Sequence, residues 1–126
     1  MGKFVIGKAK NGGVKFNLVA GNGEIIASSE VYNSKASAKK GIASIQKNAG
    51  AAVEDQTKEG YAVEKHPKFE LYQDKAGEFR FRLKATNGGI IAASQGYSSK
   101  SGCQNGIDSV KRNAPDAEIV DETKQG

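Results

Sequence analysis

The chain of 126 residues is 37% hydrophobic and carries 19 basic against 14 acidic side chains, a net charge of +5. That length and apolar content suit one globular domain, and no apolar run approaches the ~20 residues that span a bilayer. A single cysteine and a single histidine exclude an internal disulfide, a histidine triad and a multi-histidine metal site.

Lys3 to Lys8 alternates around Phe4 and Ile6, the period of a half-buried strand. Asn11-Gly12-Gly13 then supplies a turn, and Val14, Phe16 and Leu18 place a second strand's apolar side on one face. Asn22-Gly23 is a strong short-range hairpin signal and leads into a third strand, Ile25 to Ser28. After it the period changes. Ser34 stands where a helix N-cap belongs, and Ala38, Ile42, Ile45 and Ala49 recur at helical spacing over a segment of about 14 residues. A short final strand is expected over Val53 to Thr57.

The whole pattern then returns. A shift of 65 positions lays Phe4 on Phe69, Phe16 on Phe81, Asn22-Gly23 on Asn87-Gly88, Tyr32 on Tyr97, Ser34-Lys35 on Ser99-Lys100 and Gly41-Ile42 on Gly106-Ile107. The spacing predicts strands at Lys68 to Gln73, around Phe79, Phe81 and Leu83, and at Ile90 to Ala93. A helix through Cys103, Ile107, Val110 and Ala114 follows, then a last strand over Ile119 to Thr123. Gly41 and Gly106 fall mid-helix on the apolar side, where glycine suits a close approach of the helix to the sheet. Residues 1–126 thus read as one duplicated domain of class α+β: repeat 1 over 3–57, a polar linker over 58–67, and repeat 2 over 68–123. A copy of about 55 residues is marginal alone, so the two are expected to share one core in a monomer.

The order β-β-β-α-β, with Phe-x-Phe-x-Leu on the second strand, Asn-Gly, Ile-Ile-Ala-x-Ser and Tyr-x-Ser-Lys before the helix, resembles the YegP-like family of small bacterial proteins. The resemblance covers both copies. It implies a single antiparallel sheet with both helices on one face and the last strands exchanged between repeats, and it implies no particular activity.

On the face away from the helices, alternation places Arg80, Arg82 and Lys84 in a basic row, with Lys15 at the matching place in the first copy and Glu70 and Tyr72 on the neighbouring strand. Such a row is a possible anion-binding surface, while the plainer reading is cross-strand pairing of Arg with Glu. The helix starts at Tyr32 to Lys35 and Tyr97 to Lys100 resemble anion sites but read more simply as serine caps. Cys103 reads as a small core filler. Asp121 and Glu122 point to opposite faces and form no acid–base pair. No residue set marks a catalytic, metal or cofactor site, and no glycine run forms a nucleotide fingerprint.

Lysines lead the charge of the first half: residues 1–63 hold nine basic and five acidic groups, residues 64–126 ten and nine. Without a signal-peptide core or a myristoylation Ser or Thr, the chain is expected in the cytoplasm, with no membrane partner. The expected function is a non-enzymatic binding or interaction module that uses the exposed sheet face or edge for a protein or anionic ligand. Weak, sequence-tolerant nucleic-acid binding through the Arg80 row or through Lys35, Lys39, Lys40 and Lys47 is the alternative, and a small enzyme the third.

Overall fold

In both copies the meander is set by its Asn-Gly turn. Gly23 and Gly88 take φ of 88° and 85°, a left-handed conformation that only glycine adopts without strain, and the preceding Asn side chains accept from Glu24 N at 3.0 Å and Gly89 N at 2.9 Å. The computed structural model describes residues 2–123, and so leaves Met1 and residues 124–126 outside the description. Its elements run β1 (Lys3–Lys8), β2 (Val14–Val19), β3 (Ile25–Ser28), α1 (Lys35–Asn48), β4 (Ala52–Asp55), β5 (Lys68–Gln73), β6 (Phe79–Lys84), β7 (Ile90–Ala93), α2 (Lys100–Asn113) and β8 (Glu118–Asp121).

All eight strands join one sheet in the order β4-β5-β6-β7-β3-β2-β1-β8. The sheet is mixed, which corrects the expectation of a wholly antiparallel one. Hairpin turns force β1-β2-β3 and β5-β6-β7 to run antiparallel, and β3 meets β7 antiparallel at the junction of the repeats. β4, however, lies parallel to β5, and β8 parallel to β1. β4 and β5 are joined by residues 56–67 rather than by a tight turn, and β1 and β8 come from opposite ends of the chain, so no hairpin forces either pair to run antiparallel. A 14-residue helix is about 21 Å long, about four strand spacings. α1 accordingly packs on β1 and β2 and also on β7 of the other repeat, and α2 on β5, β6 and β3.

The last strands begin one residue before the expected start and stop two residues early. Asp55 Oδ1 accepts from both the amide and the hydroxyl of Thr57, and Asp121 does the same with Thr123; each Asx turn bends the chain off its strand. The 65-residue offset also grows to 66 here, since Lys68 lies opposite Ala52 whereas Lys3 lies opposite Glu118.

One continuous apolar cluster holds residues from both repeats, with Phe4, Phe16, Phe69 and Phe81 buried to 1% exposure or less. Phe4 meets Phe16 edge-on at 5.7 Å, and Phe69 meets Phe81 at 6.1 Å. Tyr32 and Tyr97 stack on Phe16 and Phe81, which explains the mid-helix glycines. A Cβ on Gly41 would strike the Tyr32 hydroxyl, and one on Gly106 would lie 2.5 Å from that of Tyr97. Ser34 and Ser99 cap the helices by accepting from the amides of Ser37 and Gly102 at 3.1 and 3.0 Å. Cys103 is fully buried within the cluster.

Truncating Phe81 to Ala should lower stability by about 3–5 kcal/mol, because the fully buried ring loses its burial and leaves a cavity in the core. Denaturant titration followed by circular dichroism measures it.

Candidate functional site

The sheet face away from the helices differs sharply between the two repeats. In the second, register sets Lys68 against Lys84, Glu70 against Arg82 and Tyr72 against Arg80, with Glu54 of β4 beside Glu70. Two adjacent carboxylates repel, and Lys68 sits between them: its Nζ is 2.7 Å from Glu54 Oε1 and 3.3 Å from Glu70 Oε2. All three are buried, at 2%, 5% and 4% exposure for Glu54, Lys68 and Glu70.

The segment between the repeats helps close this cluster, since the Glu64 amide donates to Glu54 Oε1 at 2.7 Å while Gln56 donates to Oε2 at 2.6 Å. Burial by itself would raise the Glu54 carboxyl, but these bonds and the Lys68 charge outweigh it and hold its pKa at about 2. Glu70 is lowered by the same contest, burial against Arg82 and Lys68, and Lys68 is raised, chiefly by Glu54.

The basic row is on this open face, and each of its members holds a carboxylate. Arg82 Nε is 2.6 Å from Glu70 Oε1, with its guanidinium 4.6 Å from the Tyr72 ring centre; Lys84 Nζ is 3.5 Å from Glu70. Arg80 Nε is 2.6 Å from Asp74, whose carboxyl that bond depresses. Cross-strand pairing therefore occupies Arg82 and Lys84, and the turn carboxylate of Asp74 occupies Arg80.

Lys15 stands elsewhere, in the first repeat, where Val5, Gly7 and Asn17 occupy the places of Glu70, Tyr72 and Arg82. The result is a cleft of 460 Å³ bordered by Val5, Gly7, Ala9 and Val31, by Lys8, Lys10 and Lys15, and by Asn17 and Glu122. Among the described residues, none of these three lysines lies within ion-pair distance of a carboxylate. Nothing comes within 4 Å of where a Gly7 Cβ would stand. Lys8, Lys10 and the burial of Glu54 and Lys68 with Glu70 escaped sequence reasoning, which named Glu70 only as a cross-strand neighbour of the basic row. Their one sequence signal is the mismatch between copies, Gly7 against Tyr72 and Val5 against Glu70, which separates the two open faces where the helix-side positions agree.

The helix starts are occupied by structure. Lys35 Nζ pairs with Asp121 at 3.1 Å, and Lys100 pairs with Asp55, so each tethers the last strand of the other repeat. Burial raises the pKa of Tyr32 and of Tyr97, consistent with hydroxyls pressed against Gly41 and Gly106. Lys39, Lys40 and Lys47 are exposed on α1. Burial, reinforced by Asp55, pushes the Cys103 thiol up to about 11, away from nucleophile chemistry. Among the described residues no group of three His, Cys, Asp or Glu is placed to hold a metal, and no helix is long and apolar enough to cross a membrane.

The domain of unknown function DUF1508 matches residues 9–55 and 74–121. The chain is 43% identical over 123 residues to the UPF0339 protein YegP of Yersinia pestis, covering 98% of this chain and 97% of that protein. It is 41% identical over 121 residues to a UPF0339 protein of Pseudomonas aeruginosa, covering 96% and 97%. The solution NMR structure of yegP from E. coli, described as a protein of unknown function, superposes with a TM-score of 0.79 at 37% identity, covering 99% of this chain and 96% of that one. A UPF0339 protein of Treponema denticola is 59% identical over 54 residues, which are 43% of this chain but 93% of that protein.

The depressed carboxylates set the acid limit of stability. Their contribution is complete above the ordinary carboxyl pKa of 4.5 and is lost as pH falls toward 2, the value Glu54 holds when folded. Thermal melts should therefore be flat through neutral pH and fall steeply below about pH 4.5. Lys68→Met, which leaves Glu54 and Glu70 facing one another, should cost about 3–5 kcal/mol at neutral pH by the same melts.

Proposed function

For this chain, which belongs to the DUF1508 family, we propose a non-enzymatic binding role in which the open face of the first repeat takes an anionic ligand. The observation that carries the reading is Lys15 beside Gly7 on the open face, with Lys8 and Lys10 at the border of the cleft and none of the three paired with a carboxylate among the described residues. A cation already held by a carboxylate has little attraction left for a ligand, whereas lysines left to solvent keep theirs. In this reading Lys15 carries the binding, and Arg80, Arg82 and Lys84 serve mainly to neutralise Glu70 and Asp74. Catalysis has no part in it: His66 is solitary and Cys103 is buried.

The same proposal takes residues 3–57 and 68–123 as two repeats of one cooperative domain, monomeric and cytoplasmic, and reads the seating of β4 on β5 and β8 on β1 as an exchange of last strands. Each repeat then finds its partner within one chain, and no second copy is called for. Multi-angle light scattering should return the monomer mass at micromolar concentration.

A labelled single-stranded RNA serves as a general polyanion probe. Its binding should be weak and salt-sensitive, and each of Lys8, Lys10 and Lys15 replaced by Gln should lower the log–log salt slope by about 0.7. Arg82→Gln should leave the slope unchanged. Fluorescence anisotropy across a salt series makes the comparison, and equal losses for Lys15→Gln and Arg82→Gln would return the site to the second repeat.

A further inference from the structure

Gly7 lies in the cleft with an acid on one side and a base on the other. Its antiparallel partner on β2 is Lys15. On the β8 side, the chain runs on from the Ile6–Asp121 pair to Glu122, whose amide donates to the Ile6 carbonyl at 2.8 Å. Strands about 4.8 Å apart set the backbones of Glu122 and Lys15 about 10 Å from one another, with no side chain between them.

In the second repeat the corresponding places hold Gln56, whose amide meets Leu71 in the same way at 2.8 Å, then Tyr72 and Arg80. There the acid is absent and an aromatic ring fills the gap beneath Arg82. The first repeat alone thus offers a negative group, an open floor and a positive group in one row.

A purely anionic ligand would meet repulsion from Glu122, and a ligand that also carries an ammonium group turns that repulsion into a contact. The apolar borders formed by Val5 and by Val31, itself 59% exposed, want an apolar body between the two charges. Length then narrows the class. The termini of an extended dipeptide are about 7 Å apart, a separation that Glu and Lys side chains leaning inward from backbones about 10 Å apart can meet.

We propose that the cleft binds a short zwitterionic peptide, two residues long, with its ammonium group on Glu122, its carboxylate on Lys15 and an apolar side chain over Gly7 against Val5 and Val31. This rests on the reading of the cleft as the ligand site and names what occupies it.

The probe is the dipeptide Leu-Leu, compared with its N-acetyl and C-amide forms by amide-resolved NMR titration of the whole chain. Leu-Leu should shift the amides of Gly7, Lys15 and Glu122. Acetylation should weaken binding about tenfold or more, the loss of one contact to a charged group. That penalty should vanish in Glu122→Gln, as the penalty for amidation should vanish in Lys15→Gln. Gly7→Tyr, which copies the second repeat, should abolish the shifts, and its own amide spectrum reports whether it folds.

Leu-Leu producing no shift around Gly7, or acetyl-Leu-Leu binding as tightly as Leu-Leu, overturns the proposal whatever Gly7→Tyr does. Salt-sensitive RNA binding through Lys15 that survives such a result would leave the anion site standing and refute only the zwitterion. Loss of both would remove the cleft as a ligand site.

Discussion

β4 lies beside β5 and β8 beside β1, so both ends of the sheet are closed by pairing between distant segments of the chain. The seating is parallel, is delivered by a helix that spans the junction, and is tied at its end by a Lys–Asp pair, Lys35 to Asp121 and Lys100 to Asp55. From this constraint the rest follows. The helices cover strands of both repeats, so their apolar sides and the four fully buried phenylalanines form one cluster. The opposite face is left without a covering helix, and there the two copies were free to differ. Relatives that this chain covers with about one repeat, such as that of Treponema denticola, show that the unit also occurs without a second copy in the same chain.

The two open faces solve the problem of a sheet without a helical cover in different ways. The second buries a charged cluster whose members satisfy one another: three cations on Glu70, and on Glu54 a lysine, the Gln56 side-chain amide and a backbone amide from the segment between the repeats. Burying ions gains little net stability even when they are paired, but losing one member leaves an uncompensated charge. Such a cluster commits its charges inward. The first face replaces those charges with valines and a glycine, leaves its lysines without carboxylate partners among the described residues, and retains a cleft. On the covered face the copies differ only between small or apolar residues, such as Ile6 and Leu71 or Ala38 and Cys103, because both must fill the same core, whereas on the open face they differ in charge.

Much of this was legible without coordinates. Alternation named Phe4, Phe16, Phe69 and Phe81 as core, Asn-Gly named the hairpins, and the serines named the helix starts, because each of these is a contact between residues close in sequence or a burial pattern with a fixed period. Even the side of the sheet bearing Arg80, Arg82, Lys84 and Lys15 followed from period two.

What alternation cannot say is which strand lies next to which across a helical crossover. No local signal sets that choice; it is settled by where a helix of about 21 Å lands on the sheet. The parallel seating of β4 and β8 was decided there, and with it the neighbours of every open-face side chain. Glu54 meets Lys68 and Glu70 only because β4 crosses to the second repeat, and Glu122 flanks Gly7 only because β8 crosses to the first. The residues themselves were in the sequence; that a basic row is neutralised in one repeat while three lysines border an open cleft in the other is a property of contacts between distant segments, which only the tertiary structure brings into being.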